Sequence, residues 1–459
     1  MTTRRQALRL FLQAAAGTLP VAYAIAAPAR HGGGYLVGDY REDAAGWSGT
    51  DNADGIEAMF AAALEQGGGL IEIDFPPGVY AVGRSVALLQ PNLPDVILRA
   101  NDGPVEFVFT ADSPETGGQF KAGTPDLSGG ALVMEGQFIL RHNRPGIRTA
   151  DAAMIVARGM RDYRLTGLSV PCADNNGIVI GLNDPTDYVP DSVHITHCRL
   201  GGRTADGLHS HATIGDTAVR VLTPGLVTRI ERNRITMTGD DAVLVGHNTS
   251  ETPCDIKIRH NDCQWVAGGI GLSFPGAEVT DNIINGTLNA GIRAEVDTEL
   301  EWVVARNTYV ARNTITRVGF FTEADAGGAV AIEQVNPFPI WLRGSGSRSE
   351  NNQIDITLTA AFRLEPPQDE VLEDVTSTND RFNRIGCIDR DGTLAANAAK
   401  KEIFRRAEGI GTVSNFTASG AVITNSHQDL TYWRDEDQAV DSDVSMSGTK
   451  DGEPVSVSF

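Results

Sequence analysis

Ile195-Thr196-His197-Cys198-Arg199-Leu200, Ile230-Glu231-Arg232-Asn233-Arg234-Ile235, Ile258-Arg259-His260-Asn261-Asp262-Cys263 and Val279-Thr280-Asp281-Asn282-Ile283-Ile284 share one pattern. Each runs apolar, two residues, Asn or Cys, one residue, apolar. Weaker copies follow at Arg312-Asn313-Thr314-Ile315 and Asn352-Gln353-Ile354. Self-similarity of this kind marks an array in which each unit buries its apolar side against the next. The marks at 198, 233, 261 and 282 are 35, 28 and 21 residues apart, so the loops vary while the strand core is kept. Asn side chains stacked at one corner can hydrogen-bond along such an array. Unrelated hairpins would instead need two-residue turn signals between adjacent strands, and few occur. The fold class expected is all-β, a parallel β-helix solenoid.

Working outward, runs such as Leu132-Val133-Met134, Ala153-Met154-Ile155-Val156 and Gly177-Ile178-Val179-Ile180 supply earlier coils between Val96 and Ile180. Upstream, Asp51, Asn52 or Asp54 can cap a helix whose apolar positions Ile56, Met59, Phe60, Ala63 and Leu64 recur at helical spacing. Gly67-Gly68-Gly69 ends it, Leu70 to Phe75 alternates as a strand, and Pro76-Pro77-Gly78-Val79-Tyr80 turns. A helix there would cover the apolar end of the stack, which is otherwise open to another chain. Downstream, Ala395 to Arg406 reads as a short helix, with a polar, acidic tail capping the far end. The organisation expected is 1–30 export signal, 31–395 β-helix with its N-terminal cap, and 396–459 C-terminal helix and capping tail.

The first thirty residues carry Arg4-Arg5, a short mildly apolar run, and small residues at cleavage spacing around Ala22-Tyr23-Ala24-Ile25-Ala26. The arginine pair resembles the twin-arginine export signal, so a bacterial periplasmic or secreted location is expected. Composition agrees with many short strands and tight corners: 50 Gly and only 6% aromatics. The formal net charge of −21 argues against nucleic acid and anionic membrane as partners. An anionic polymer would need a local basic groove. Cys172, Cys198, Cys254, Cys263 and Cys387 lack zinc-site spacing and read mainly as small buried residues, with no bridge specified. The chain is expected to act as a monomer.

Thr238-Gly239-Asp240-Asp241-Ala242-Val243-Leu244-Val245 sets two carboxylates at the mouth of an apolar strand. Adjacent like charges favour one group carrying a proton while the other is ionised, the division that acid/base chemistry uses. With the Asn/Cys mark as ruler, Asp241 lies eight residues after Asn233 and Asp206 eight after Cys198. Equal offsets put them on neighbouring rungs about 4.8 Å apart, so Asp206, Asp240 and Asp241 are expected in one outward patch. Arg293, eleven after Asn282, and His209, eleven after Cys198, should point out beside them, with His211 nearby.

The opening unit of the chain resembles that of the pectate-lyase-like superfamily of right-handed parallel β-helices. Thr204-Ala205-Asp206, Gly239-Asp240-Asp241 and Gly291-Ile292-Arg293 resemble three of the four motifs of glycoside hydrolase family 28, the polygalacturonases and relatives, in the same order. That resemblance implies hydrolysis with inversion. Asp241 or Asp240 would protonate the leaving oxygen, while Asp206 and the other would activate water. His209, Arg293 and Glu295 would meet substrate. Two positions depart from the family: Gly269 stands for its histidine, and Glu295 for the lysine that holds a uronate carboxylate. A neutral or differently charged sugar is therefore expected, with no cofactor. One alternative is a Ca²⁺-dependent polysaccharide lyase, its cation held by the aspartates and Arg293 as base, although no Arg-x-Pro-x-x-Arg occurs. Another is a glycan-binding solenoid without activity.

Overall fold

The computed structural model describes residues 52–53, 56–57, 60–61, 70–75, 77–88, 93–109, 120–124, 130–142, 153–173, 175–181, 189–202, 214–246, 252–294, 305–321, 337–366, 370–389, 391–394, 402–406, 411–426, 431–434 and 441–458. Over these residues the chain is a right-handed parallel β-helix. A typical coil has three short strands, as in Val227–Glu231, Arg234–Thr236 and Asp241–Gly246. Each pairs in register with its counterpart one coil on: Asp255–Arg259, Asp262–Val266 and Gly268–Ser273. Inward residues stack as like on like. Ile195, Ile230, Ile258, Val279 and Val310 form one column, every member fully buried. Val219, Val243, Ile270 and Ile292 form another.

The corner between the first two strands of each coil is where the recurring Asn acts. The residue before each mark has a left-handed backbone, with φ of 57° at His197, 56° at Arg232, 57° at His260, 59° at Asp281, 56° at Arg312 and 55° at Asn351. Such a conformation is uncommon for residues other than glycine. It turns the chain sharply and leaves the next residue's N–H facing along the stack. Asn233 Oδ1 accepts from Cys198 N at 2.9 Å, Asn261 Oδ1 from Asn233 N and Nδ2 at 3.0 Å, and Asn282 Oδ1 from Asn261 in the same way. Asn313 and Asn352 continue the ladder. Each Asn Nδ2 also donates to a strand carbonyl of the coil before it, as Asn261 does to Ile230 O at 2.9 Å. The ladder therefore satisfies its buried polar groups internally.

Its last member is Asp380, fully buried, which accepts from Asn352 N at 2.8 Å and from the hydroxyls of Ser349 and Ser377 at 2.6 Å. Burial raises its pKa above the ordinary carboxylate value despite those donors.

At the N-terminal end Asn52, Ala53, Ile56, Glu57, Phe60 and Ala61 are helical. Ala53, Ile56 and Phe60 are buried in the core that fills the coils, and Arg84 pairs with Glu57 at 2.6 Å. The C-terminal expectation needs correcting. Glu402–Arg406 is a strand, not the end of a helix, and it pairs in parallel with Phe362–Leu364. Coils thus continue past residue 395. Residues 395–401 lie outside the described residues. The stack ends on Ser445–Lys450, which pairs antiparallel with Glu453–Ser458. Asp451 and Gly452, with φ of 49° and 91°, make the turn of this hairpin, and its polar outer strand blunts the last edge. All five cysteines are free thiols, four of them buried.

Asn261→Leu removes an acceptor used twice and two donated bonds, and is expected to cost about 2–4 kcal/mol in urea unfolding. Asp380 binds its proton more tightly folded than unfolded, so the folded chain holds more protons just above pH 3.8 and its stability falls as pH rises through that region. Asp380→Asn should abolish that fall and raise stability at pH 7, read from denaturation midpoints between pH 4 and 8.

Candidate active site

The third strand of each coil begins at a second corner, and there two consecutive residues face in while those on either side face out. In the coil of Asp241, Ala242 and Val243 are buried in the core, whereas Asp241 and Leu244 belong to the outer face. On the rungs around Asp241 the first inward position is held by small residues, Gly177, Ala218, Ala242, Gly269 and Gly291. A side chain at Gly269 would come within 1.9 Å of Gly291 O. The position that carries histidine in the resembling family therefore has no room for any side chain here.

Asp241 is 1% exposed. Its Oδ2 lies 2.6 Å from a terminal nitrogen of Arg293, which projects from the coil two rungs further on. Two residues make that long reach possible. Gly268 pairs with Asp241 on the intervening rung, and a Cβ there would sit 2.0 Å from Asp241 Oδ1. Gly271 pairs with Leu244, and a Cβ there would lie 3.0 Å from Asp241 Oδ2 and 3.2 Å from Arg293 Nε. The bridge crosses a rung whose outer face is bare backbone. A charge-assisted pair in so dry a place fixes the orientation of the carboxylate. Asp240, half-buried, precedes it, and Thr238 Oγ1 donates to Asp240 O at 2.6 Å, tightening the turn.

Among the sequence-predicted residues, then, Asp240, Asp241 and Arg293 come together. Asp206, His209, His211 and Glu295 lie outside the described residues. The rung position expected for Asp206 is, however, occupied by other residues. Val219 pairs with Val243, which sets Thr217 beside Asp241 and Asp216 beside Asp240. Asp240 N donates to Asp216 O at 3.3 Å. In the coil before Asp241 eighteen residues, 201–218, separate the second strand from the third, where the coil of Asp241 has four, so counting eight from Cys198 stops short of the rung. Asp216, half-buried, is the neighbour that the count missed. A signal for it was present: Gly215-Asp216-Thr217-Ala218-Val219 matches Gly239-Asp240-Asp241-Ala242-Val243 at four of five positions. Chemically the arrangement offers two half-buried carboxyl groups on adjacent rungs, beside a third held by arginine.

No protein-family model and no curated protein sequence matches the chain. Solved structures do show likeness. The Agl-KA catalytic domain is 16% identical, over 89% of this chain and 68% of that one, with a TM-score of 0.45. An alginate lyase from Paenibacillus sp. str. FPU-7 is 12% identical, over 83% and 96%, with a TM-score of 0.36. The catalytic unit of a thermostable GH87 α-1,3-glucanase from Streptomyces thermodiastaticus strain HF3-3 is 14% identical, over 93% and 70%, with a TM-score of 0.39. Likeness at this level assigns no activity.

Arg293→Met leaves Asp241 buried without its arginine and should lower the unfolding free energy by about 3–5 kcal/mol. Combining it with Asp241→Asn should recover part of that loss. A single Arg293→Met chain as stable as the parent would show that the pair does not hold this corner.

Proposed function

We propose that the chain is an exported carbohydrate-active enzyme, a glycoside hydrolase that cleaves a polysaccharide by acid/base catalysis without a metal. The observation that carries this reading is the gathering of Asp216, Asp240 and Asp241 on two neighbouring rungs beside Arg293. Breaking a glycosidic bond needs one carboxyl group to protonate the leaving oxygen and another to activate water or attack the sugar. Asp240 and Asp216 are assigned those two tasks. Asp241, buried with one oxygen on Arg293, is the fixed negative charge beside the developing oxocarbenium ion. The family resemblance implies Asp206 for the activation of water, the task assigned here to Asp216 or Asp240, and His209 and Glu295 are the further residues expected from the sequence to meet the sugar.

The lyase alternative meets an electrostatic obstacle. A guanidinium 2.6 Å from Asp241 Oδ2 stands where a calcium ligand would be needed and repels a cation. The same pairing occupies Arg293, which that alternative needs as a base.

A screen of neutral and acidic polysaccharides should find new reducing ends on a neutral one, with no near-ultraviolet absorbance from unsaturated products and no loss on adding chelator. Asp240→Asn and Asp216→Asn should each lower kcat by roughly 10²–10⁴ in folded protein. Unsaturated products lost with chelator would establish the lyase instead. An Asp216→Asn chain as active as the parent, with Asp206→Asn inactive, would move the third carboxylate to Asp206.

A further inference from the structure

On the rungs before Asp241, the same outward register position is held by Thr217 and, one coil earlier, by Asn176. Both are deeply buried, 1% and 5% exposed. Thr217 Oγ1 and Asn176 Oδ1 nevertheless have no hydrogen-bond partner among the described residues, and neither has Arg220 Nε in the adjoining row. A buried polar atom left unpaired costs free energy that an apolar residue of the same shape would not. Valine is sterically close to threonine, and the outer cluster alongside is already apolar, built from Ala153, Val156, Val179 and Leu222. Packing alone therefore gives no reason for hydroxyl and amide groups here, and an unsatisfied buried group in a native fold calls for an explanation, a bound partner among them.

We propose that Asn176 and Thr217, with Arg220, form a sugar-binding subsite continuous with the catalytic aspartates, taking an uncharged, hydroxyl-rich sugar unit of a glycan that runs along the stack. The proposal rests on the hydrolytic reading above for the identity of the ligand. Three observations carry it. The two unpaired groups and Asp241 are in line on consecutive rungs, spaced about 4.8 Å, so groups repeated along an extended chain can meet them in turn. The set mixes an acceptor, Asn176 Oδ1, with a donor, Arg220 Nε, and a hydroxyl that does both. A sugar hydroxyl both gives and accepts and can satisfy all three, whereas a carboxylate only accepts and would leave Asn176 Oδ1 unpaired. Finally, the row leads directly into the reacting carboxylates, so a sugar seated there places the next linkage beside Asp240.

The test uses the full chain and cellohexaose, maltohexaose, laminarihexaose and hexagalacturonate as probes. At least one neutral hexaose should bind by calorimetry. With that probe as substrate, Thr217→Val and Asn176→Leu should each raise KM about fivefold with kcat unchanged. Thr217→Val should also raise Tm, because it removes an unpaired buried hydroxyl; a hydroxyl with a structural role would lower it. The proposal is overturned by unchanged KM, by a fall in Tm, or by binding of hexagalacturonate alone or of no probe. Neutral hexaose binding weakened by both variants, without turnover in the parent, would remove the hydrolytic reading and leave the subsite standing.

Discussion

Everything in this molecule hangs on one hydrogen-bonded corner repeated coil after coil. A residue in the left-handed region bends the chain, the following Asn takes the exposed N–H of the coil before it, and the Asn's own N–H is taken by the next. The bend is unfavourable for His197, Arg232 or Asp281 by itself. It is held because stacking supplies the partner, so corner and stack stabilise each other. Where the ladder runs out, Asp380 replaces Asn and two serine hydroxyls complete its coordination. That substitution carries the only titratable side chain in the described ladder beyond Cys198, and with it a dependence on pH.

The candidate site is made as much by missing side chains as by present ones. Gly268 and Gly271 strip the outer face of one rung, and Arg293 reaches across the gap to Asp241. A fold whose strands are spaced by backbone hydrogen bonding brings functional groups to fixed intervals. Choosing glycine between two of them lets a pair form over two intervals instead of one. The same regular spacing lines Asn176 and Thr217 up with Asp241 on consecutive rungs.

Ends and interruptions are handled by different devices. Aromatic clusters thicken the core near each end, Phe75, Tyr80, Phe107 and Phe138 at one and Phe362, Phe382, Phe404 and Phe416 at the other. A helix covers the first coils, and an antiparallel hairpin closes the last. These remove open edges on which another chain could add strands.

The sequence by itself determined the fold, because the Asn corner and its flanking apolar residues are local and recur with their own spacing. It also marked Asp240, Asp241 and Arg293, whose offsets from the nearest Asn are short. Tertiary structure alone decided which residue lies beside them. Residues 201–218 intervene before the third strand of their coil, a ruler anchored at Cys198 does not know their length, and Thr217 and Asp216 lie opposite Asp241 and Asp240. It also decided the state of Glu402–Arg406. Glu, Lys, Arg and Ala favour a helix locally, but the stack offers an unpaired strand edge at Phe362–Leu364, and a segment that can fill it gains a ladder of hydrogen bonds and a buried Phe404. Local chemistry fixed what repeats; the partner waiting on the previous coil fixed what does not.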